Sequence, residues 1–420
     1  PRRSNTASAT PTGRPCVPSS SVHRRPSTAP PMPRASSALP PATRSSSPST
    51  SSTPTAAPGS RCRPPGSRRR AGRTTGTATL ERTYNGNLVL SDADGSLVWS
   101  SGSSGRSVAG MEITDTGNLV LFDQRNVTVW QSFDHPTDTL LPGQSLMEGM
   151  KLRANSTTTN STENQVYMAV QPDGLFAYVE STPPQLYYSH SVNTNKSGKA
   201  PTKVTITNGS LSIFVQSTQP SNISLPQASS TQYMRLEFDG HLRLYEWSNT
   251  GAKWTVVSDV IKVFPDDCAF PMACGKYGIC TGGQCTCPLQ SNSSLSYFKP
   301  VDERKANLGC SPLTPISCQE MRSHQLLALT DVSYFDVSHT ILNATNRDDC
   351  KQSCLKNCSC RAVMFRYGQN DSDGTCFSVS EVFSLQTIQP EALHYNSSAY
   401  LKVQLSPSAS ASTANNTKAI

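Results

Sequence analysis

The chain has 420 residues, 14 cysteines and a formal charge of +8, and that charge is spread unevenly. Residues 1–80 hold 13 Arg and no Lys, Asp or Glu, so the remainder carries 24 basic against 29 acidic side chains and offers no basic surface for nucleic acid. No run of 18 or more apolar residues is present to form a transmembrane helix.

Residues 1–80 also contain 15 of the 31 prolines and no Phe, Tyr, Trp or Ile. Such a segment buries too little apolar surface to offset its ordering entropy, so residues 1–77 are expected to be disordered. Arg61, Arg63, Arg68, Arg69 and Arg70 could meet phosphates or acidic lipid. The stronger expectation is that residues 1 to about 76 are a gene-model error, because the Arg/Pro/Ser/Ala/Thr monotony resembles GC-rich DNA read in the wrong frame. Cys16 and Cys62 are then accidental, and neither a starting Met nor a signal-peptide apolar region is found.

From residue 80 the texture changes to short strands and turns. Asn87-Leu88-Val89-Leu90 runs on to Leu97-Val98-Trp99, and Asn118-Leu119-Val120-Leu121 runs on to Val127-Thr128-Val129-Trp130, one pattern repeated about 31 residues apart. A Gly before each Asn supplies a turn, and the alternation that follows predicts a strand with one buried face. Looser units follow at Pro172–Tyr178 and at Met234–Trp247, the latter a hairpin with Asp239-Gly240 at its turn. Residues 78–150 are expected to form one β domain and 151–262 a second.

Twelve cysteines then fall in two blocks of six: Cys268, Cys274, Cys280, Cys285, Cys287 and Cys310, then Cys318, Cys350, Cys354, Cys358, Cys360 and Cys376. Even counts at tight spacing predict small disulfide-held modules made in an oxidising compartment, over 263–311 and 312–403. Spacing alone allows 15 pairings per block. Zinc is the rival ligand, but Cys285-x-Cys287 and Cys358-x-Cys360 are not paired knuckles and no His stands at ligand spacing. Calcium would draw on Asp266 and Asp267, yet Thr281-Gly282-Gly283-Gln284 after Cys280 brings no carboxylate. No metal and no cofactor are therefore expected. Asn346–Asn357 reads as the one helix, capped by Asn346, with Asp348 and Asp349 in its first turn and Cys350, Cys354 and Cys358 along one face. Residues 404–420 end the chain as a polar linker.

Asn-x-Ser/Thr occurs at Asn126, Asn155, Asn160, Asn195, Asn208, Asn222, Asn292, Asn343, Asn370, Asn396 and Asn415, all expected to be glycosylated. Asn357, beside Cys358 in a crowded cluster, is expected to stay bare. The seven His fall in no nucleophile or metal motif, and the phosphate loop, His-Arg-Asp and Asp-Phe-Gly elements of a kinase are absent, so no catalytic residue is assigned.

The run Val129-Trp130-Gln131-Ser132-Phe133-Asp134-His135-Pro136-Thr137-Asp138-Thr139-Leu140-Leu141-Pro142-Gly143-Gln144 resembles the signature of plant S-domain proteins, the S-locus glycoproteins and G-type lectin S-receptor-like serine/threonine kinases. The resemblance covers about residues 78–403. It implies a mainly β ectodomain: bulb-type lectin, β-prism-like units over 78–150 (N-terminally incomplete) and 151–262, then EGF-like and PAN/apple modules. It implies the disulfides Cys268–Cys280, Cys274–Cys285, Cys287–Cys310, Cys350–Cys376, Cys354–Cys360 and Cys318–Cys358. Bulb-type lectins hold mannose on a Gln-x-Asp-x-Asn-x-Val-x-Tyr strand. Of that pattern only Asn87 and Val89, then Asn118 and Val120, survive here, with Phe122 in place of Tyr. The family binds extracellular peptide, protein or small-molecule ligands, often as a homodimer, at or outside the plasma membrane. The sequence thus reads as the ligand-recognition region of a receptor kinase, with a secreted S-locus-type glycoprotein and a mannose-binding lectin as alternatives. The stretches 155–225 and 288–309 are candidate ligand loops by length and polarity. Residues 80–150 are expected to be the least stable part, because an incomplete prism leaves strand edges open.

Overall fold

The computed structural model describes residues 78–155, 163–192, 200–215, 219–263, 266–289, 296–336 and 340–405. The expectations for 1–77 and 406–420, and the sequons at Asn160, Asn195, Asn292 and Asn415, lie outside those residues.

Each sequence repeat becomes a three-stranded antiparallel sheet. The first holds β1 (Thr79–Arg82), β2 (Leu88–Ser91) and β3 (Leu97–Ser100). The second holds β4 (Gly110–Ile113), β5 (Leu119–Phe122) and β6 (Thr128–Gln131). Gly86 and Gly117 sit at φ +85° and +86° in the turns before β2 and β5, where a side chain would strain the backbone. Strand alternation turns Leu88, Leu119 and Leu121 inward against Val108 and Trp130, and Trp99 meets Trp130 edge-on at 5.6 Å.

Three short strands follow: β7 (Thr139–Leu140), β8 (Ser145–Met147) and β9 (Lys151–Asn155). Each places one leucine six residues from the last, Leu140, Leu146 and Leu152, all at most 2% exposed. Three triplets then complete three sheets. They are β10 (Glu163–Gln171), β11 (Gly174–Val179) and β12 (Gln185–Ser191); β13 (Lys203–Thr207), β14 (Ser210–Phe214) and β15 (Ser221–Ser224); and β16 (Gln232–Leu236), β17 (Leu242–Ser248) and β18 (Lys253–Asp259). The first triplet takes β9 as its fourth strand, the second β8 and the third β7. The lead-in strands are thus used in reverse order to close a three-sheet prism. The expected boundary at 150/151 is corrected: β7 and β8 pair with β16 and β13, so the second unit starts by Thr139. Strands of two and three residues are too short to show periodicity, so the sequence pattern does not announce them.

The first cysteine block forms two hairpins, β19 (Ile279–Thr281) with β20 (Gln284–Thr286) and β21 (Phe298–Pro300) with β22 (Cys310–Pro312). Its sulfurs join as Cys268–Cys280, Cys274–Cys285 and Cys287–Cys310. The second block comprises β23 (His324–Thr330), β24 (Val332–Ser333), β25 (Thr340–Thr345), α1 (Arg347–Lys356), β26 (Ala362–Tyr367), β27 (Gly374–Val379), β28 (Leu385–Thr387), the short α2 (Pro390–Leu393) and β29 (Asn396–Gln404). Its five-stranded sheet runs β23-β29-β26-β27-β25, so β29 reaches one residue into the expected linker. Cys318–Cys358, Cys350–Cys376 and Cys354–Cys360 hold it together.

The Asn346 side chain accepts the Asp349 N–H at 2.8 Å and starts α1 as expected. The helix stops at Lys356, so Cys358 lies in the turn beyond it and not on the helical face with Cys350 and Cys354. A physical cause is the buried Lys402, whose Nζ donates to Cys354 O and Asn357 O, both at 2.7 Å, and so satisfies carbonyls at the helix end.

The expected domains 151–262, 263–311 and 312–403 share one continuous core, running from Leu140 and Val166 through Phe270 and Ile279 to Leu327 and Leu385. Strand β19 pairs in parallel with β28, bringing Ile279 beside Leu385. The buried Tyr334 hydroxyl donates to Gln185 Oε1 at 2.7 Å and accepts the Phe383 N–H at 3.0 Å, tying the last module to the prism.

His324, at the head of β23, is 7% exposed; its Nε2–H donates to Ser317 O at 3.0 Å, while Nδ1 has no hydrogen-bond partner among the described residues. Burial holds its imidazole below the ordinary range; the Ser317 bond opposes this, and Lys402 and Arg361 reinforce it. The folded state therefore binds fewer protons than the unfolded chain once pH falls below about 6.5. Stability from this group is complete above that pH and declines as pH drops toward the lowered folded value. Thermal unfolding at pH 7.5 and pH 5 is expected to show a smaller acid loss in His324→Gln than in the parent; equal losses would refute the assignment.

Candidate functional site

The two repeats hold Asn87 and Asn118 through similar contacts. Asn87 Oδ1 accepts Ser101 Oγ–H at 3.0 Å and the Ser103 N–H at 3.1 Å. Asn118 Oδ1 accepts Ser132 Oγ–H at 3.1 Å and the Phe133 N–H at 3.2 Å, and its Nδ2 donates to Gln131 Oε1 at 2.9 Å. The serine in turn accepts the N–H of the following leucine, Leu88 at 3.0 Å or Leu119 at 2.9 Å. These amides brace their own sheets. Val120 is buried and Val89 half-buried, so the four residues do not converge on an open groove.

The signature run forms the crossing between the units. Trp130 closes the first core, His135 stacks on it at 5.3 Å, and Asp134 accepts from Gln131 Nε2 at 3.0 Å. Pro136 is half-buried, and Thr137 O accepts the Arg153 N–H at 2.6 Å. Asp138, 4% exposed, accepts Thr139 Oγ1–H and Asn155 Nδ2–H, both at 2.8 Å, fixing β7 against β9. Phe133 and Leu141 pack on Tyr233 in the third sheet. After Pro142, Gly143 at φ +84° turns the chain into Gln144, whose side chain accepts the Leu141 N–H and donates to Phe133 O.

That third sheet carries a polar and aromatic group on its outer face. Met234, Leu236, Leu242 and Leu244 point inward and are fully buried, so alternation turns Tyr233, Arg235, Glu237, Arg243 and Tyr245 outward. Arg235 Nη2 lies 2.6 Å from Glu237 Oε1, Tyr245 OH donates to the same carboxylate, and the guanidinium sits 5.1 Å from the Tyr245 ring centre. Tyr233 stacks on Tyr245 at 5.0 Å and meets Trp254 edge-on at 4.7 Å, with Trp247 beyond at 5.4 Å. Arg243 pairs with Asp239 at 2.8 Å and Asp259 at 3.4 Å, and His241 Nδ1 lies 3.2 Å from Asp259. Burial pushes the Tyr233 hydroxyl up to about 12; burial and the Glu237 bond raise Tyr245 as well. For Arg235, burial opposes the charge, but Glu237 outweighs it and the net shift is upward. Tyr233 and Glu237 are each 5% exposed, so what this face leaves accessible is the half-buried Arg235, Tyr245, Trp247 and Trp254, planar π-surface beside a fixed charge, which is a recognition chemistry. Among the described residues no set of three His, Cys, Asp or Glu is placed to hold a metal.

This strand was legible in outline only. In the nine-residue lectin frame it reads Glu237-x-Asp239-x-His241-x-Arg243-x-Tyr245, keeping Asp and Tyr and replacing Gln by Glu. Extending the frame beyond the two N-terminal repeats would have found it. No sequon lies on the strands of this sheet, β16 to β18. Asn126, Asn208, Asn222, Asn343 and Asn370 are exposed. Asn155 and Asn396 are half-buried, with Nδ2 donated to Asp138 and to Gly368 O at 2.6 Å. None lies between 226 and 289.

Residues 69–163 match the D-mannose binding lectin family, 187–290 the S-locus glycoprotein domain and 318–382 the PAN-like domain. The chain is 29% identical over 320 residues to the G-type lectin S-receptor-like serine/threonine-protein kinase SD2-5 of Arabidopsis thaliana, covering 72% of this chain but 36% of that protein. It is 30% identical over 332 residues to EP1-like glycoprotein 2 of Arabidopsis thaliana, covering 69% of this chain and 70% of that one. A solved Polygonatum cyrtonema lectin complexed with monomannoside is 23% identical, covers 30% of this chain and 86% of the lectin, and superposes with a TM-score of 0.13.

Proposed function

The chain belongs to the plant S-domain family, and from that premise we propose that it is the extracellular ligand-recognition region of an S-domain receptor-like serine/threonine kinase, reading its ligand with the outer face of β16–β18. The observation that carries this reading is the Arg235–Glu237–Tyr245 network with its Tyr233, Trp254 and Trp247 rings on a sheet that bears no sequon. Flat rings flanked by fixed charges suit a saccharide-bearing ligand, whose C–H faces stack while its hydroxyls take the polar groups. None of the matched families is catalytic, and the chain spans about a third of the kinase relative, so phosphorylation, attachment to the plasma membrane and a role in pollen recognition or defence are all parts of the proposal.

A second reading, a secreted glycoprotein without a kinase, is favoured by the 70% of EP1-like glycoprotein 2 that the chain covers. Transcript sequence beyond residue 420 separates the two: an in-frame apolar run of about 20 residues supports the receptor and a stop codon the secreted form. The recognition face is tested by displaying the full chain to a plant glycan array. Signals are expected to fall roughly tenfold or more in Tyr245→Ala while Asn118→Gln retains them. Binding unaffected by Tyr245→Ala, or no binding at all, removes the saccharide reading. Binding lost only in Asn118→Gln would return it to the N-terminal repeats.

A further inference from the structure

Cysteine density along the sequence suggests a bare Asn357, but the sulfurs crowd the inner side of the backbone. Cys350, Cys354, Cys360 and Cys376 are buried in the small cluster beneath α1. The Asn357 carbonyl faces that interior and accepts the buried Lys402 Nζ at 2.7 Å, while its N–H donates to Cys354 O at 3.1 Å. With the backbone held from within, Asn357 is itself exposed, and so is Ser359, the third residue of its Asn-Cys-Ser sequon. Asn357 Oδ1 accepts the Ser359 N–H at 3.1 Å and the Ser359 Oγ–H at 2.8 Å, and no described residue takes a bond from Nδ2. Asn155 and Asn396 differ, because their Nδ2 groups are donated to Asp138 and to Gly368 O.

Asn357 also lines a groove of 270 Å³ where the last module meets the prism. The two sides touch there: Ser380 Oγ–H donates to Thr182 O at 2.7 Å. Pro183, in the turn before β12, and Ile341 of β25, 44% exposed, give the groove apolar surface. Thr182, Ser378 and Ser380 add hydroxyls, and no charged side chain is among the lining residues. Such a groove suits a neutral sugar, whose C–H face covers carbon while its own hydroxyls meet the polar groups.

We propose that Asn357 is an N-glycosylation site and that the first N-acetylglucosamine of its glycan lies in this groove, against both the prism turn and the last module. The donor is an oligosaccharide joined through diphosphate to a membrane polyprenol. Asn357 Nδ2 bonds to the anomeric carbon and gives up one proton. The bond from that carbon to the diphosphate oxygen breaks, and the lipid diphosphate leaves with the electron pair. The sugar is added to the growing chain, so the fold must then accommodate it, and an outward Nδ2 beside an open groove does so. Covalent attachment next to the groove gives the sugar a high effective concentration there, so docking loses little association entropy.

Mass spectrometry of the secreted full chain, reduced and digested, reads the peptide that bears Asn357. That peptide is expected to carry a glycan in most molecules. Glycan release by a peptide-N-glycosidase is then timed on folded and on denatured chain. Release at Asn357 is expected to be roughly tenfold or more slower from the folded chain, while glycans on occupied exposed sequons leave at similar rates from both. Ser359→Ala removes the sequon and is expected to speed hydrogen exchange at the Thr182 and Ser380 amides about threefold or more, and Ser359→Thr, which keeps the sequon, to match the parent. An unmodified Asn357 in the secreted chain overturns the proposal. So does a glycan released equally fast from folded and denatured chain, since it would then stand free of the groove.

Discussion

Phe270→Ala is expected to destabilise the protein by roughly 3–5 kcal/mol. Phe270 is 1% exposed and stands at the junction of the first cysteine module with the prism. Its ring stacks on His241 at 3.7 Å and lies 6.1 Å from Tyr187, whose hydroxyl donates to Gly240 O at 2.9 Å. Alanine there leaves a ring-sized cavity between modules that the Cys268–Cys280 and Cys274–Cys285 bridges keep from collapsing. Urea denaturation should show one cooperative transition shifted to lower urea. A loss below about 1 kcal/mol would mean that the modules are held together elsewhere.

The second large effect is expected from Cys350→Ala combined with Cys376→Ala, roughly 2–5 kcal/mol and poor secretion of the folded chain. The bridge spans 26 residues, and both sulfurs are completely buried. They lie in a small cluster with Cys354, Cys360, Val363, Phe365 and Tyr400, where sulfur supplies much of the apolar contact. Removing the pair therefore releases the unfolded chain and empties the packing beneath α1 at once. Cys354–Cys360 spans only six residues, so its removal restrains the unfolded state less. Paired melting curves of the two double variants test that ranking. A greater loss from the shorter bridge would overturn it.

The mainly β fold was legible wherever a strand was long enough to alternate, as in the two Asn-Leu-Val-Leu repeats, and wherever a cap announced a helix, as at Asn346. The lead-in strands β7 and β8 leave no mark in the sequence because each is only two or three residues long with a single buried leucine, too short for any period to show. The helix end was missed because it depends on Lys402, 46 residues beyond Lys356 in sequence, whose ammonium group takes the last carbonyls. Of the candidate site, the Asp239-Gly240 turn was visible, but Tyr233 stacking on Tyr245 is set by cross-strand register, which no local pattern reveals. Asn87 and Asn118 show the reverse case: a recognisable motif residue whose amide is engaged with its own scaffold.

The parallel rung between β19 and β28 is the one parallel pairing among the described strands, and it joins residues more than a hundred apart. During synthesis the β19–β20 hairpin can close its own local bridges as soon as residue 287 emerges, yet one of its edges stays bare until β28 has been made. Long-range pairings of this kind are slow to form and leave strands exposed meanwhile. The C-terminal module thus completes the middle one: a chain that ends before residue 385 has its cysteines correctly spaced but a hairpin without its parallel neighbour.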